Sequence, residues 1–254
     1  MSVIDHYNAV ASSPPPIHYL QNMRKVHNAV KWKCFQQAIS IGTCRVPYRV
    51  FDIACGRGGD YVKHASAGVC CTYFGVDVAD HALNELERRA VECKPIPSVH
   101  LKCGDAADIT WRDMDCDVCT LNFAIHYFFD SEQHVDALLR VISNSLRPRG
   151  IFCGTYFDFA YLETCPYASN NGRWPSEDAL RQNAFGHMYY YKMGKCVDAP
   201  EYVVHFPTLC KMACKYGLYL CMDRSFTCYM QSHRIHLGNA QPGQRIFMFR
   251  KISI

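Results

Sequence analysis

The stretch that decides the fold class is Arg49-Val-Phe-Asp-Ile-Ala-Cys-Gly-Arg-Gly-Gly-Asp60. Its first half is apolar and β-branched, so residues 48–55 are predicted to form a buried strand of a parallel sheet. Gly56, Gly58 and Gly59 follow at once, which indicates a tight turn that a ligand can approach closely. The helix expected after the turn would offer free N–H groups and the positive end of its dipole to that ligand.

A second predicted strand supports a nucleoside site at this turn. Phe74-Gly-Val-Asp77 closes the strand predicted for residues 71–78. In doubly wound folds an acid about twenty residues after such glycines takes the ribose hydroxyls of a nucleoside cofactor. The alternative is an ordinary strand-to-helix turn in which Asp77 is structural.

The order of the glycines distinguishes between two kinds of cofactor site. A dinucleotide site favours Gly-x-Gly-x-x-Gly, which makes room for a pyrophosphate, whereas this chain has Ala54-Cys-Gly56-Arg-Gly58-Gly59-Asp60. The carboxylate of Asp60 at the start of the helix would repel a pyrophosphate, but it would tolerate a sulfonium and an ammonium. The sequence therefore favours S-adenosylmethionine (AdoMet) over NAD.

Composition indicates one ordered domain. The chain has 254 residues, of which 49% are apolar and 20% charged, which suits a single α/β domain with a full core. The formal net charge of +4 allows an anionic partner without proving one. No apolar stretch approaches the length of a membrane span, so no membrane association is expected.

The sixteen cysteines are interpreted as reduced core residues of an intracellular protein, because the N-terminus carries no apolar leader. Cys116-Asp-Val-Cys119 lies in a predicted strand, where positions three apart point to opposite faces. Cys210 and Cys214 share a helix face but lack a partner pair at zinc spacing. We therefore expect no metal site.

Alternating strands and helices along the chain predict a parallel sheet with helices on both faces. An extended entry arm (1–16) and a helix (17–41) precede it, and a helix and two strands close the chain. Strands are expected at 48–55, 71–78, 99–103, 117–122, 151–156, 219–222 and 246–250, with a turn at 147–150; helices are expected at 60–66, 83–93 (capped by Asp80), 131–146 and 206–216. A single domain follows, divided into arm and helix (1–47), core (48–158), an insertion over the carboxyl edge of the sheet (159–205) and closing elements (206–254).

At Asn122-Phe-Ala-Ile-His126-Tyr127 the chain resembles the messenger-RNA cap guanine-N7 methyltransferases, whose pattern there is Gln-Phe-x-x-His-Tyr. Five further pieces agree in order, and together the six cover nearly the whole chain. They are Tyr7-Asn8, the helix from Arg24 with Asn28 and Lys31 in register, Asp52 to Asp60, Asn183-Ala-Phe-Gly186, and Pro200-Glu-Tyr202.

The resemblance implies a Rossmann-like class I methyltransferase with a mostly parallel seven-stranded sheet and an antiparallel last strand. It implies AdoMet as cofactor and the GpppN-capped 5′ end of RNA as substrate. AdoMet is expected at Lys31, Ala54, Gly56, Asp60, Asp77 (ribose), Asp105 (adenine), Asn122 and Tyr127. The cap is expected at Asn8, at Arg57, Lys63 and Arg89 (phosphates), and at Phe123, His126, Tyr127 and Glu201 (guanine).

The chemistry requires no acid or base. The N7 lone pair of guanine is free at neutral pH, so catalysis reduces to placing N7 in line with the methyl group and excluding water. His126, Tyr127 and Glu201 are therefore expected to position the base. The carboxylate of Glu201 can accept from guanine N1–H and the exocyclic amine, and it would favour the charge gained on methylation. The alternative for Glu201 is a solvated loop acid.

Several positions depart from the family pattern. Ala54 replaces its first glycine, Arg57 a lysine and Asn122 a glutamine, while Phe157 stands where a proline is usual. Gln244 falls where the family has a cap-facing tyrosine. The long basic N-terminal extension of the family is absent, which is consistent with a compact enzyme or with a domain of a larger one.

Two alternatives to cap methylation remain open at this point. One is a methyltransferase that acts on a small molecule, and the other is an inactive relative that binds capped RNA. The resemblance further implies a monomer and a nuclear location, or a cytoplasmic one for a viral enzyme. It also implies a protein partner, which is either an RNA guanylyltransferase/triphosphatase or a capping domain fused to this one.

Overall fold

The computed structural model describes residues 3–11, 18–42, 46–193, 197–235 and 243–252. In chain order the strands are β1 (Tyr48–Ile53), β2 (Cys70–Asp77), β3 (Ser98–Cys103), β4 (Cys116–Leu121), β5 (Leu146–Phe157), β6 (Ala168–Ser169), β7 (Met188–Met193), β8 (Val197–Tyr202), β9 (Leu218–Ser225) and β10 (Gln244–Lys251). The α-helices are α1 (Val3–Ala11), α2 (His18–Ile41), α3 (Gly59–Ala67), α4 (Asp80–Glu92), α5 (Glu132–Ser145), α6 (Phe159–Leu162), α7 (Glu177–Gln182), α8 (Phe206–Lys215) and α9 (Phe226–Ser232). A 3₁₀ helix spans Ile125–Asp130.

Seven strands form the main sheet in the order β3-β2-β1-β4-β5-β10-β9. The pairs among the first five strands are parallel, and β10 runs antiparallel to both β5 and β9. The predicted mostly parallel sheet with an antiparallel last strand is therefore confirmed. β1 and β4 lie side by side, and the helices α3 and α5 that follow them pack on opposite faces. In open α/β sheets, ligands bind where such neighbouring strands end.

Apolar side chains cover both faces of the sheet. Leu138 of α5 and Leu209 of α8 are fully buried against one face, and Val30 of α2 and Phe226 of α9 against the other. Burying each such side chain contributes about 1.5–3 kcal/mol. The sheet is thus held rigid from both sides, and the loops at its carboxyl edge are free to carry a site.

A second, three-stranded antiparallel sheet, ordered β6-β7-β8, lies within the insertion. Its inner face buries Tyr189 and Tyr191 against Phe157 and Leu162. The N–H of Gly186 donates to the carbonyl of Phe129 (2.9 Å), which ties this sheet to the 3₁₀ helix that follows β4. The loose composition of residues 161–200 did not predict strands there.

The structure corrects several sequence-based boundaries. Residues 3–11 form a helix and not an extended arm; residues 12–17, which include the proline run, lie outside the described part of the chain. The turn predicted at 147–150 lies inside β5, where Arg149 has a positive φ of 67°. Asp80 is the first residue of α4, and the residue before it, Ala79, makes no side-chain cap. The 3₁₀ helix and α9 were not predicted.

The cysteines of the described residues form no disulfide. Cys116 and Cys119 both pack into the same core cluster, so the expectation that they face opposite sides was wrong. The pairing of β4 with β5 is irregular next to Cys116, because β5 advances from Leu146 to Ile151 while β4 advances only from Cys116 to Val118. In the described ranges no three His, Cys, Asp or Glu side chains are grouped so that they could hold a metal ion. Likewise, none of the described helices has the length and apolar character that a membrane span requires.

Candidate active site

The glycine turn between β1 and α3 is built from residues with left-handed backbone. Ala54, Gly56 and Gly58 have φ values of 55°, 51° and 72°. A Cβ on Gly58 would lie 2.6 Å from Cγ of Leu86, so α4 packs closely over the turn there. A Cβ on Gly56 would meet nothing within 4 Å, so at this residue the turn faces open space. The turn therefore leaves a bare backbone surface at the carboxyl edge of the sheet.

Asp77 at the end of β2 ties this turn in place. Its Oδ2 accepts from the N–H of Gly56 (2.7 Å), and its Oδ1 accepts from the N–H of Ala79 (2.9 Å). Burial raises the pKa of Asp77, and the bonds from Ala79 and Gly56 oppose that increase. An ionised oxygen accepts two hydrogen bonds, so each keeps capacity for a ribose hydroxyl.

A charged cluster surrounds Asp60 at the start of α3. Asp60 forms ion pairs with Lys31 (Nζ to Oδ2, 2.9 Å) and with Lys63, and Nδ2 of Asn122 donates to Oδ2 (3.3 Å). Burial alone would raise the pKa of Asp60, but the two lysines together lower it, so the group is a carboxylate. A small cavity lined partly by these four side chains opens beside the turn. Lys63 also donates to Asn28 (3.0 Å), so it belongs to this cluster here, although the sequence predicted a phosphate contact.

Asp105 follows β3 and faces a histidine that the sequence did not single out. Nε2 of His134 lies 3.0 Å from Oδ2 of Asp105, and its Nδ1 lies 2.8 Å from Oδ1 of Asp130. The hydrogen bond to Asp105 is the main cause that raises the pKa of His134 to about 9. The same bond lowers the pKa of Asp105, so a cationic imidazole holds this carboxylate at the edge of the sheet.

Two of the predicted phosphate contacts adjoin on the outer side of the turn. Nη1 of Arg89 donates to the carbonyl of Arg57 (3.0 Å), and its Nε donates to Glu85 (2.8 Å). Burial and then the charge of Arg89 lower the pKa of Arg57, and Arg24 of α2 adds to this effect. Three guanidinium groups therefore share this surface, including one that the sequence analysis had not assigned to the site.

Asn8, a predicted cap contact, lies in the contact between α1 and α4. Its Oδ1 accepts from the N–H of His81 (3.2 Å). The hydroxyl of its neighbour Tyr7 lies 2.7 Å from that of Tyr127. Burial is the main cause that raises the pKa of Tyr7, and the nearby Glu201 and Asp77 add to the increase. Tyr7 therefore lies between the two predicted halves of the site.

Phe123 directly follows Asn122 with a strained backbone. Its φ is 59°, a conformation that is a genuine outlier for a bulky residue. Its N–H donates to Oγ1 of the buried Thr155 (2.9 Å), and its ring lies 4.8 Å from the ring of His27. Nζ of Lys31 lies 5.7 Å from the centre of the Phe123 ring, so this ring adjoins the Asp60 cluster.

His126 and Glu201 face each other in the buried interior. They are 3% and 2% exposed, and Nε2 of His126 lies 3.4 Å from Oε1 of Glu201 without a hydrogen bond. Burial lowers the pKa of His126 to about 3 and raises that of Glu201 to about 7. The histidine is therefore neutral. Glu201 lies in β8 and not in a solvated loop, and the hydroxyl of Tyr189 donates to its Oε2 (2.6 Å).

Gln244 and Phe157 are two of the residues that depart from the family pattern. Gln244 opens β10 directly opposite Phe157, which ends β5, so both are strand residues. Gln244 is buried, and its Oε1 makes no hydrogen bond to the residues that the structure describes.

The predicted residues thus fall into two adjoining groups at one edge of the sheet. The sequence analysis missed Tyr7, His27, His134, Thr155 and Tyr189. Two of them had a usable signal. Tyr7 belongs to the Tyr7-Asn8 piece of the resemblance, and period-two alternation in residues 188–193 places Tyr189 on the same face as Tyr191.

Residues 1–242 match the family model of the mRNA (guanine-N(7))-methyltransferase domain. The mRNA cap guanine-N(7) methyltransferase 1 of Oryza sativa subsp. japonica is 28% identical over 256 residues, covering 88% of this chain and 67% of that protein. The mRNA cap guanine-N(7) methyltransferases of Drosophila melanogaster and Saccharomyces cerevisiae are 27% and 26% identical, over 74% and 80% of this chain and 50% and 52% of those proteins. The chain spans between half and two-thirds of the length of these relatives.

Solved structures resemble this chain in fold. An S-adenosylmethionine-dependent methyltransferase from Clostridium acetobutylicum has a TM-score of 0.61 at 13% identity, covering 87% of this chain and 90% of that one. The CcbJ methyltransferase from Streptomyces caelestis also has a TM-score of 0.61, at 16% identity, covering 99% and 97%. At these identities the likeness establishes the class I methyltransferase fold.

Proposed function

Because this chain belongs to the family of mRNA (guanine-N(7))-methyltransferase domains, we propose that it transfers a methyl group from AdoMet to N7 of the terminal guanine of GpppN-capped RNA. One observation supports this substrate most directly. Glu201 is a buried carboxylate that faces a neutral His126, 3.4 Å away. A buried carboxylate without a cationic partner is costly, and a ligand that presents two N–H groups would compensate for that cost.

The cofactor half of the site suits AdoMet. The methyl group of AdoMet is carried on a sulfonium, which supplies the leaving group. Gly56 leaves the backbone open to a ligand, Asp77 keeps acceptor capacity for the ribose, and Asp60 is a carboxylate that suits a cationic amino acid moiety. Lys31 lies next to Asp60 and can pair with the carboxylate of the methionine part.

The guanine half of the site positions a base without acid–base chemistry. Glu201 would accept from N1–H and from the exocyclic amine, which distinguishes guanine from adenine. The same carboxylate would stabilise the positive charge that the base gains on methylation. His126 is neutral, so it adds no cation that would oppose this charge. On the outer side of the turn, Arg57 and Arg89 would hold the phosphates of the cap.

The proposed setting follows from the substrate. A guanylyltransferase/triphosphatase, or a capping domain fused to this one, would supply the GpppN end. We propose a monomeric domain that acts in the nucleus, or in the cytoplasm if the chain is viral. Gel filtration with light scattering and fluorescence microscopy of the tagged full-length protein test these two points.

The decisive experiment is transfer of labelled methyl groups from AdoMet to GpppRNA, with ApppRNA and GTP as comparisons. We expect label on GpppRNA and none on ApppRNA, with the modified base identified as 7-methylguanine after nuclease digestion. Transfer to small molecules alone would favour the small-molecule alternative. AdoMet and cap binding without any transfer would favour an inactive relative.

Glu201→Gln tests guanine recognition within that assay. The amide keeps the size but puts a donor against the donors of the base, which costs about 1–3 kcal/mol, or about ten- to a hundredfold in kcat/KM. The dissociation constant of AdoMet should change less than about twofold, because other strands hold the cofactor. Asp198→Asn, an exposed acid of the same strand, is the control. Full activity of Glu201→Gln would remove this residue from the site, and an equal loss of AdoMet binding would make it structural.

A further inference from the structure

The side chain of Glu201 has one hydrogen-bond donor in the described part of the chain. Tyr189 lies directly opposite Glu201 in the pairing of β7 with β8, and its hydroxyl donates to Oε2 at 2.6 Å. Both residues are nearly completely buried, with Tyr189 1% exposed. The bond joins neighbouring strands, so the register of the small sheet holds it in place.

We propose that Tyr189 is the positioning residue that sets the orientation of the Glu201 carboxylate for guanine recognition. This inference rests on the proposed function, because it concerns the substrate that Glu201 would accept. A carboxylate can rotate about its last side-chain bond, and a short hydrogen bond to one of its oxygens restricts that rotation. Tyr189 takes Oε2 from the sheet side, which leaves Oε1 facing His126.

The geometry is compatible with two further hydrogen bonds to the base. An ionised carboxylate has about four acceptor positions, and Tyr189 occupies one of them. Nε2 of His126 lies 3.4 Å from Oε1 and makes no hydrogen bond to it, and Oε2 retains a second acceptor position. The two donors of the guanine edge can therefore bind without displacing Tyr189.

In the described part of the chain, no other side chain donates a hydrogen bond to Glu201 in place of Tyr189. Tyr189 of β7 and His126 of the 3₁₀ helix contact the carboxylate. Tyr191 of β7, Tyr127 of the 3₁₀ helix and Tyr7 of α1 are close enough to interact with it electrostatically, but none of them contacts it. The tyrosines are neutral, because burial raises the pKa of each well above its usual value, and His126 is neutral because burial lowers its pKa. In the described ranges no cation pairs with Glu201. The hydrogen bond from the hydroxyl of Tyr189 therefore partly offsets the free-energy cost of burying the carboxylate charge.

A distinctive pH dependence follows. Burial raises the pKa of Glu201 to about 7, and the bond from Tyr189 lowers it from where burial alone would place it. A protonated Glu201 cannot accept from both donors, so kcat/KM on GpppRNA should fall as the pH drops below about 7. Loss of the Tyr189 hydroxyl should shift this fall to higher pH.

Tyr189→Phe removes one oxygen and keeps the buried ring, and Tyr191→Phe is its matched control. Tyr191 is a buried tyrosine of the same strand, but its hydroxyl contacts Sδ of Met193 at 3.9 Å. We expect Tyr189→Phe to lower kcat/KM on GpppRNA at pH 7 about tenfold, with AdoMet affinity unchanged within about twofold. The acid limb of its pH profile should move up by at least about half a pH unit, whereas Tyr191→Phe should match the wild type. A Tyr189→Phe profile that coincides with that of Tyr191→Phe would overturn the proposal.

Two further measurements keep the test independent of folding and of the proposed function. If Tyr189 acts through Glu201, adding Tyr189→Phe to Glu201→Gln should cause no further loss of kcat/KM; an additive loss contradicts this role. The pKa of Glu201 can be read without substrate from its carboxyl infrared band, by difference against Glu201→Gln. A higher pKa in Tyr189→Phe supports the positioning role even if the wild type fails to methylate GpppRNA, and an unchanged pKa rejects it.

Discussion

Ala54 in the glycine turn has a strained backbone. Ala54 has a φ of 55°, which a residue with a Cβ adopts at a cost of about 1–2 kcal/mol. The sequence analysis noted that Ala54 replaces the first glycine of the family pattern, and the structure gives this residue a left-handed backbone. Strain of this kind persists only where surrounding packing enforces it, here the hydrogen bond of Asp77 to Gly56 and the contact of Gly58 with Leu86.

Ala54→Gly should therefore stabilise the protein. Glycine removes the strain but adds about 0.5–1 kcal/mol of chain entropy to the unfolded state, so we expect a net gain of about 0.5–1 kcal/mol, or about 2 °C in Tm. Ala137→Gly, inside α5, is the control and should cost about 1 kcal/mol. Scanning calorimetry of both variants checks this. A decrease in Tm for Ala54→Gly would show that the turn is not strained.

Asp77→Ala should weaken AdoMet binding and also destabilise the turn. The sequence analysis assigned Asp77 to the ribose and kept a structural role as the alternative. In this variant the N–H groups of Gly56 and Ala79 would lose their acceptor. One unsatisfied buried donor costs about 1–3 kcal/mol, so Tm should fall by several degrees. Asp80→Ala, an exposed acid at the start of α4, should leave both quantities nearly unchanged. Titration calorimetry that finds wild-type AdoMet affinity in a folded Asp77→Ala would reject the cofactor site.

At the scale of elements, α5 connects the adenine side of the site to the rest of the fold. Oγ of Ser131 accepts from the N–H of His134 (3.2 Å) at the start of the helix. The imidazole of His134 then bridges Asp105, which follows β3, and Asp130, which ends the 3₁₀ helix. One side chain therefore fixes the relative positions of three elements around the expected adenine contact.

The contribution of His134 to stability should depend on pH. Its pKa is raised from 6.5 to about 9 in the folded protein, so its contribution is complete below pH 6.5 and is lost as the pH rises through 9. Because its partners are more than a third exposed, we expect only about 1 kcal/mol. The Tm difference between the wild type and His134→Gln should thus be largest near pH 6 and vanish near pH 10. His100→Gln, an exposed control, should show no such trend. A difference that stays constant with pH would mean that packing, not charge, is lost.

At the scale of the whole molecule, the modest net charge conceals a concentration of cations. The formal net charge is +4, yet Arg24, Arg57 and Arg89 meet on one side of the glycine turn. Lys31 and Lys63, in contrast, are engaged by Asp60. The structure therefore divides the basic residues near the turn into a surface that can meet an RNA backbone and an internal cluster that suits a small cofactor.

Salt dependence of RNA binding should distinguish these two sets. Replacing Arg57 or Arg89 with Ala should raise the KM for GpppRNA and lower the slope of log affinity against log salt by about one. Arg88→Ala is a matched control, because Arg88 neighbours Arg89 but forms exposed pairs with Glu85 and Glu92. Lys63→Ala, in contrast, should weaken AdoMet binding, because Lys63 pairs with Asp60. Slopes that are identical for the wild type, Arg57→Ala and Arg89→Ala would mean that these arginines do not bind phosphate.

Sequence by itself determined the sheet, the glycine turn and the acid at the end of β2. These features depend on local sterics and on periodicity, since alternating elements leave few topologies and left-handed turns require glycine. Phe123, His126 and Glu201 came from the motif resemblance, and the structure places them with the turn at one edge of the sheet.

Only the tertiary structure decided how those side chains are held. Tyr189 bonds Glu201 because of the register of two strands, His134 reaches Asp105 across 29 positions, and the hydroxyl of Tyr7 meets that of Tyr127 across 120. No local pattern encodes such pairs, because each depends on how separate elements pack. The neutrality of His126 and the raised pKa of Glu201 likewise arise from burial, which a chain acquires only when it folds.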